Sequence, residues 1–341
     1  MIGDKREPSI EAKFVEKRRA WARNPAILKT THRIYLGDAR RMEELGVDPL
    51  LHLVVTSPPY WNLKEYPPLT GSQLGNLADY QEFLVELRRV WNHCFQLLVP
   101  GGRLCVVVGD VCLSRRKAGR HSVIPLHADI SRDCIATGFD YLSPIFWYKI
   151  ANAATEVEGN GTTFLGKPYE PNAVIKNDVE YILIFRKPGA YRAPTPEQRA
   201  LSIIDRGDRD RWFRQIWGDI PGQVRAQGHP APFPKELANR LIGMFSFVGD
   251  IVLDPFWGTG TTTAAAIESH RSSIGYEIEP QYLEIGKTRF RQSSLDAHVE
   301  FFGPVPGKIS SCAAYRVVGA SPPDRVFTPR GLYATRARAI R

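Results

Sequence analysis

The stretch Thr56-Ser57-Pro58-Pro59-Tyr60-Trp61 holds the residue types best suited to chemistry in this chain. Two successive prolines remove two backbone donors and stiffen the turn. What remains on offer is acceptors, the hydroxyl of Ser57 and the carbonyl of Pro58, with the ring of Tyr60 following directly. A loop that accepts hydrogen bonds beside a stacking ring suits an extruded base carrying a free amine. The plainer reading is a stiff turn with surface aromatics. A second Ser-Pro-Pro, Ser321 to Pro323, is followed by Asp324 in an irregular, Arg-rich stretch and takes that plainer reading.

A second candidate is Asp254-Pro255-Phe256-Trp257-Gly258-Thr259-Gly260-Thr261-Thr262. Its glycines permit a sharp turn and close backbone approach to a ligand. A helix beginning there supplies free amide donors and the positive end of a dipole. The loop lacks the GK[ST] ending of a phosphate-binding loop and the third glycine of the dinucleotide fingerprint, so both of those readings are poor. The next strand ends Tyr276-Glu277-Ile278-Glu279, which makes Glu277 a candidate for holding ribose hydroxyls. The alternative for Glu277 is a solvated carboxylate at a strand end.

The elements that would position these loops alternate strand and helix. The apolar run Leu51–Val55 leads into the Ser-Pro-Pro turn. Tyr80, Phe83, Leu84, Leu87, Trp91, Cys94 and Leu98 recur at helical spacing, which predicts a helix from Asp79 to Leu98 stopped by Pro100-Gly101-Gly102. Strands are expected at Leu104–Val108 and Val179–Phe185. Residues 150–178 read as a long loop, and 187–196 as a connector. Between Asp205 and Trp217, Arg and Asp alternate, and a solvated helix is the better reading. A helix opened by Pro234, with Leu237, Leu241 and Met244 on its apolar face, precedes a strand at Ile251–Leu253. A helix from about Thr262 and a strand at Ser273–Tyr276 follow. This order argues for one α/β domain with a mostly parallel, Rossmann-like sheet flanked by helices.

Composition bounds the reading further. The chain has 341 residues, 43% of them hydrophobic, enough for a full core. No apolar run approaches the roughly 20 residues that cross a bilayer, and Met1 to Glu16 has no apolar signal core. A soluble, cytoplasmic protein without a membrane partner is expected. Five single cysteines include no C-x-x-C pair and no zinc spacing, so no metal is expected, and Cys94, Cys105 and Cys134 read as core thiols. The net charge of +9 favours a polyanionic partner such as nucleic acid, weakly by itself.

Together these motifs resemble the S-adenosylmethionine-dependent DNA amino-methyltransferases, in the permuted arrangement called the beta class. There the catalytic S/D/N-P-P-Y/F motif precedes the cofactor motif, as Ser57-Pro58-Pro59-Tyr60 precedes Asp254 to Thr261 here. His229-Pro230-Ala231-Pro232-Phe233-Pro234 resembles the family's His-Pro cofactor motif. Leu36-Gly37-Asp38 resembles the segment whose acidic residue contacts the adenine side of the cofactor. The resemblance covers residues 33 to about 290. It implies a basic N-terminal extension at 1–32, a methyltransferase domain at 33–295 and a basic tail at 296–341. Within the domain it implies a catalytic half at 33–149, variable recognition loops at 150–228 and a cofactor half at 229–295.

The resemblance also implies roles. Ser57, Pro58, Pro59 and Tyr60 would be catalytic. Asp38, His229, Pro230, Phe233, Asp254, Phe256, Gly258, Thr259, Gly260, Thr261 and Glu277 would hold S-adenosylmethionine. Ser at the first motif position implies the N4 amine of cytosine, where Asp or Asn goes mostly with adenine N6. DNA is the implied partner, with room for a cognate restriction endonuclease acting on the same site. The basic residues Arg115, Arg116, Lys117 and Arg120 follow a strand end and are candidates for phosphate contact, a solvated turn being the alternative. Trp147 and Lys149 resemble a family strand near the target base, with plain core an equal reading for Trp147. Trp257 stands at a variable position and has no assigned role. No Pro-Cys dipeptide occurs, which argues against methylation at cytosine carbon 5. An adenine-specific enzyme and a catalytically silent nucleic-acid-binding protein are the competing readings.

Overall fold

The structure is a computed structural model that describes residues 28–45, 50–61, 73–113, 118–149, 164–165, 171, 174–175, 177–222, 233–291 and 297–303. Its strands are β1 (Thr30–Leu36), β2 (Leu51–Thr56), β3 (Leu98–Val108), β4 (Val111–Leu113), β5 (Ser122–Ile124), β6 (Asp140–Tyr148) and β7 (Phe164–Leu165). They continue with β8 (Val174–Ile175), β9 (Val179–Arg186), β10 (Ile216–Trp217), β11 (Ile251–Asp254), β12 (Ser272–Glu277) and β13 (Ala297–Phe302). One nine-stranded sheet has the order β10-β6-β9-β3-β2-β11-β12-β1-β13. Within it β9 runs antiparallel to both β3 and β6, and the other pairings are parallel. The fold is thus the expected mostly parallel α/β sheet. Central strands of such a sheet are covered on both faces and read as continuous apolar runs, and Leu53, Val54 and Val55 of β2 are fully buried.

The helix α1 (Tyr80–Leu97) forms as its spacing predicts, burying Phe83, Leu84, Leu87, Val90, Trp91 and Cys94. Asp79 caps it by accepting from the Glu82 amide at 2.7 Å. Pro100, Gly101 and Gly102 do not merely stop this helix. They lie inside β3, which begins at Leu98 and not at Leu104. Proline is tolerated there because β3 pairs with β2 at Leu98 and again only from Arg103, so the missing donor at Pro100 costs no ladder bond.

The helices α2 (Leu126–Thr137), α3 (Pro196–Leu201), α4 (Arg206–Trp212), α5 (Lys235–Phe245), α6 (Thr261–Glu268) and α7 (Pro280–Phe290) complete the elements that bear on the site. As expected, α4 is a solvated helix with no buried residue, but it ends at Trp212, and the same segment finishes in β10, where Trp217 is buried in the core. Cys94, Cys105 and Cys134 are buried free thiols. Trp147 is core: its ring sits in the main apolar cluster and its Nε1 donates to the Ile220 carbonyl at 2.8 Å.

The sheet also reaches beyond the boundaries drawn from the sequence. Its first strand starts at Thr30, and β13 pairs with β1 along Ala297–Phe302, past the expected end at 295. Val299 and Phe301 on β13 cover the apolar cluster around Ile34 and Trp257, which explains why an edge strand forms there. The remainder of the 296–341 segment lies outside the described residues, apart from Gly303. Among the described residues, no helix is long and apolar enough to cross a membrane.

Candidate active site

Parallel strands deliver their C-terminal ends to one edge of the sheet, where ligand sites of α/β proteins lie. Thr56 ends β2, Asp254 ends β11 and Glu277 ends β12. Strand β1 ends at Leu36 opposite Glu277, and the Gly37 amide donates to the Glu277 carbonyl at 2.9 Å. Register therefore places Ser57, the glycine loop, Glu277 and Asp38 along a single edge, although 239 positions separate Asp38 from Glu277 in sequence (277 − 38).

The glycine loop turns as its composition requires. Gly258 and Gly260 have φ of 57° and 87°, and Gly260 caps the start of α6. Asp254 is buried and fully engaged. Its Oδ1 accepts from the Thr56 hydroxyl at 2.8 Å and from the Phe256 amide at 3.1 Å, while Oδ2 accepts from the Thr262 hydroxyl at 2.6 Å. One carboxylate thus ties the end of the strand that bears Ser57 to the turn and helix of the glycine loop. Burial pushes its pKa up to about 6, against the hydrogen bonds from Thr262 and Thr56.

Glu277 holds the other side of the loop. Its Oε2 accepts from the Gly258 amide at 2.7 Å and its Oε1 from the Glu279 amide at 2.8 Å. A carboxylate oxygen has a second lone-pair site, so each can still take a hydroxyl donor. The buried Glu277 carboxyl on this edge suits a ligand that carries a diol, and the buried Asp254 carboxylate beside it suits one that also carries positive charge. This donor set fits an adenosyl sulfonium.

Burial raises the Glu277 pKa to about 8 from an ordinary 4.5. The folded protein therefore retains a proton that the unfolded chain has already lost, and stability falls as pH rises from about 4.5 through about 8. His32, pushed down to about 4 by burial, and His52, also pushed down by burial, act in the opposite sense up to and just above 6.5, so the Glu277 contribution is the difference between wild type and a Glu277 variant from pH 6.5 to 8. We expect thermal unfolding at pH 8 to reveal a loss on the order of 1 kcal/mol relative to pH 6.5. Glu277→Gln should flatten that difference; an unchanged slope in the variant would assign it elsewhere.

Trp257, without a role in the sequence reading, is a core plug. Its Nε1 donates to the Thr263 hydroxyl at 2.8 Å, and its ring lies near Phe290 and Phe301. A Cβ added at Gly275 or at Gly286 would come within 2.2 Å of this ring. The indole occupies space that these glycines leave open.

On the Ser-Pro-Pro-Tyr loop, Pro58 is buried while Ser57, Pro59 and Tyr60 are half-buried. The Ser57 Oγ lies 3.4 Å from the Tyr60 Oη. Tyr60 Oη also lies 3.2 Å from Glu180 Oε2 and 3.5 Å from the Val107 carbonyl. Lys149 donates to Glu180 Oε1 at 2.9 Å. A Cβ at Gly109 would sit 3.3 Å from the Tyr60 ring and 3.4 Å from Glu180 Cγ, so this glycine lets the two approach. Trp61 adopts φ of 45°, held by a hydrogen bond from its Nε1 to the Leu77 carbonyl at 2.9 Å and by edge contact with Tyr80.

The other expected residues divide. Asp38 is gripped by Arg40, whose Nε reaches its two carboxylate oxygens at 3.0 and 2.9 Å and whose Nη1 donates to Glu86 at 2.8 Å. Phe256 is half-buried, edge-on to Trp91, and Thr259 accepts from Arg289 at 3.3 Å. Thr261 opens α6. Phe233 packs against the main core cluster beside α5. Arg120 is exposed. Arg115, Arg116, Lys117, His229 and Pro230 lie outside the described residues. Thr56 and Thr262 stand in the two motifs without an assigned role, and Glu180 stands outside both: their roles depend on partners up to 207 positions away, as for Thr262 and Val55, and no local spacing announces that. Gln73 likewise reaches Glu279 at 3.2 Å across 206 positions.

The chain matches the DNA methylase family of N6/N4 type over residues 51–288. It is 38% identical over 304 residues to the type II methyltransferase M.MjaI of Methanocaldococcus jannaschii, covering 80% of this chain and 97% of that protein. It is 33% identical over 335 residues to the type II methyltransferase M.MthZI of Methanothermobacter thermautotrophicus, covering 89% and 92%. Among solved structures, it resembles TTHA0409 of Thermus thermophilus, a candidate DNA modification methylase complexed with S-adenosyl-L-methionine. That likeness has a TM-score of 0.65 and 49% identity, covering 81% of this chain and 99% of the other. The fold is shared with PvuII DNA methyltransferase, described as cytosine-N4-specific, at a TM-score of 0.53 and 21% identity, covering 78% and 89%. With a glycine loop, an acidic strand end and a Ser-Pro-Pro-Tyr turn on one sheet edge, this chain belongs to the N6/N4 DNA methylase family.

Proposed function

We propose that the protein is a site-specific DNA methyltransferase of the permuted beta class that methylates the N4 amine of cytosine, using S-adenosylmethionine. The observation that carries this reading is the Asp254 bridge, which joins the strand leading to Ser57 with the loop that would hold the cofactor. Donor and acceptor of the methyl group then meet across a linkage with little freedom, which is where most of the rate gain of a positioning enzyme arises.

S-adenosylmethionine supplies an activated methyl group on a sulfonium. Glu277 takes the ribose hydroxyls, the Gly258–Thr261 backbone faces the rest of the ligand, and Asp38 with Phe256, Phe233, His229 and Pro230 completes its surroundings. The target base leaves the duplex and stacks on Tyr60. Its amine donates to Ser57 Oγ and to the Pro58 carbonyl. An aryl amine is a poor nucleophile because its lone pair is delocalised into the ring. Two acceptors on its hydrogens localise that pair and aim it at the methyl group, without a covalent intermediate. The methyltransferase domain takes in the whole nine-stranded sheet, from Thr30 to Phe302, with recognition loops within 150–228, and Arg115, Arg116, Lys117 and Arg120 contact phosphate. A restriction endonuclease sharing the target sequence fits a modification enzyme of this kind.

The test is methylation of genomic DNA from an unrelated source, followed by digestion to nucleosides and mass spectrometry. N4-methylcytosine is the expected product. N6-methyladenine instead would keep the mechanism and overturn the base assignment. Absence of both methylated bases with S-adenosylmethionine bound would favour a silent DNA-binding protein.

A further inference from the structure

We infer that Glu180 is a positioning residue for methyl transfer, acting through Tyr60 to fix the hydrogen-bond polarity of Ser57. The inference rests on the proposed role of Ser57 as acceptor for the base amine. A serine hydroxyl is both donor and acceptor, with a proton that rotates to suit its neighbours. An amine to be methylated needs an acceptor. A hydroxyl pointing its proton at the amine would oppose the reaction, and an isolated serine does nothing to prevent this.

The surroundings of Tyr60 remove that ambiguity. The Tyr60 hydroxyl has Glu180 Oε2 at 3.2 Å and the Val107 carbonyl at 3.5 Å, and both can only accept. The Tyr60 proton is thereby committed to them. Its oxygen is left as the acceptor for Ser57 Oγ, 3.4 Å away. The Ser57 proton then points at Tyr60, and its remaining lone pairs are presented to the amine. Lys149 anchors the other oxygen of Glu180 at 2.9 Å. Gly109 permits the approach, since a Cβ there would stand 3.3 Å from the Tyr60 ring and 3.4 Å from Glu180 Cγ.

The chain Ser57–Tyr60–Glu180–Lys149 therefore gives a neutral serine the one-sided acceptor character that a carboxylate has by nature. It joins β2, β9 and the end of β6, three neighbourhoods that are distant in sequence. Tyr60 serves twice in this proposal: its ring stacks on the base while its hydroxyl carries the polarity.

The experiment is a double-mutant cycle of Tyr60→Phe and Glu180→Gln in the full chain. Single-turnover rate, KM for DNA and cofactor affinity are measured, with Ser57→Ala as reference. Both substitutions keep shape, and phenylalanine keeps the stacking ring. Hydrogen bonds to a charged group predict a loss of roughly 10- to 100-fold in rate for each, with KM for DNA and cofactor affinity near wild type. Because both act on one chain, the double variant should be about as slow as the slower single. Additive losses, or a Glu180→Gln rate equal to wild type while Ser57→Ala is slow, would overturn the inference and leave the Ser57 reading intact. Full activity in Ser57→Ala would remove that reading, and this inference with it.

Discussion

Ser57→Ala is expected to lower the methyl-transfer rate by roughly 10²–10³-fold while leaving S-adenosylmethionine affinity unchanged. In the proposed mechanism the hydroxyl is one of two acceptors for the amine, so its removal takes away stabilisation that grows as the lone pair localises. The residues proposed to hold the cofactor lie on the glycine-loop side of the Asp254 bridge. That bridge uses the Thr56 hydroxyl and not Ser57, so the glycine loop keeps its shape. Isothermal titration with the cofactor and single-turnover methylation, done side by side, check the two halves of this expectation. A variant that lost cofactor binding would place Ser57 in the binding site; one that kept full rate would leave the Pro58 carbonyl as the operative acceptor. Asp254→Asn should behave differently. One of its oxygens becomes a donor facing hydroxyl donors, so loop geometry, cofactor affinity and rate should fall together.

Trp257→Ala should be the most destabilising single change in the cofactor half. Truncating a fully buried aromatic in a rigid core costs about 3–5 kcal/mol, a fall in Tm of roughly 5–10 °C at about 2 °C per kcal/mol for a domain this large. The indole is 2% exposed, and the positions of Gly275, Gly286 and Gly260 are shaped around it. The reciprocal change tests the same packing. Gly275→Ala brings a methyl to within 2.2 Å of the ring and should cost about 1–3 kcal/mol or more. In the Trp257→Ala background that penalty should largely vanish, because the clash partner is gone. Equal penalties in both backgrounds, read by thermal unfolding, would show that the strand tolerates a Cβ poorly for some other reason.

These two expectations differ in how far they could be read without the fold. Ser57 is conspicuous in a linear chain because its neighbours are. Two prolines strip the backbone of donors, and the tyrosine follows at once, so the local covalent structure already defines an acceptor loop with a ring. The glycine loop is legible for the same reason: Gly258 and Gly260 permit positive φ, and both adopt it. Helix α1 and the strands β2, β9, β11 and β12 follow from periodicity, since burial on one face or both imposes a repeat. Pro100-Gly101-Gly102 misled, because the same residues that break helices are admitted to a strand where the ladder is interrupted.

Trp257, Glu180 and the full extent of the sheet belong to the tertiary structure. An indole beside a glycine loop reads equally well as a ligand contact or a plug, and only the approach of Gly275 and Gly286 decides for the plug. Glu180 is one acidic residue at the start of an apolar strand until β9 pairs antiparallel with β3 and carries it to Tyr60. Strand β13 has weak alternation of its own and is recruited by the apolar surface over β1. Backbone chemistry acts over a few neighbouring residues, so the sequence by itself determined the two loops and the elements that carry them. Side-chain chemistry acts through space, so the joining of those loops by Asp254 and the polarity imposed on Ser57 were decided only when distant strands came into register.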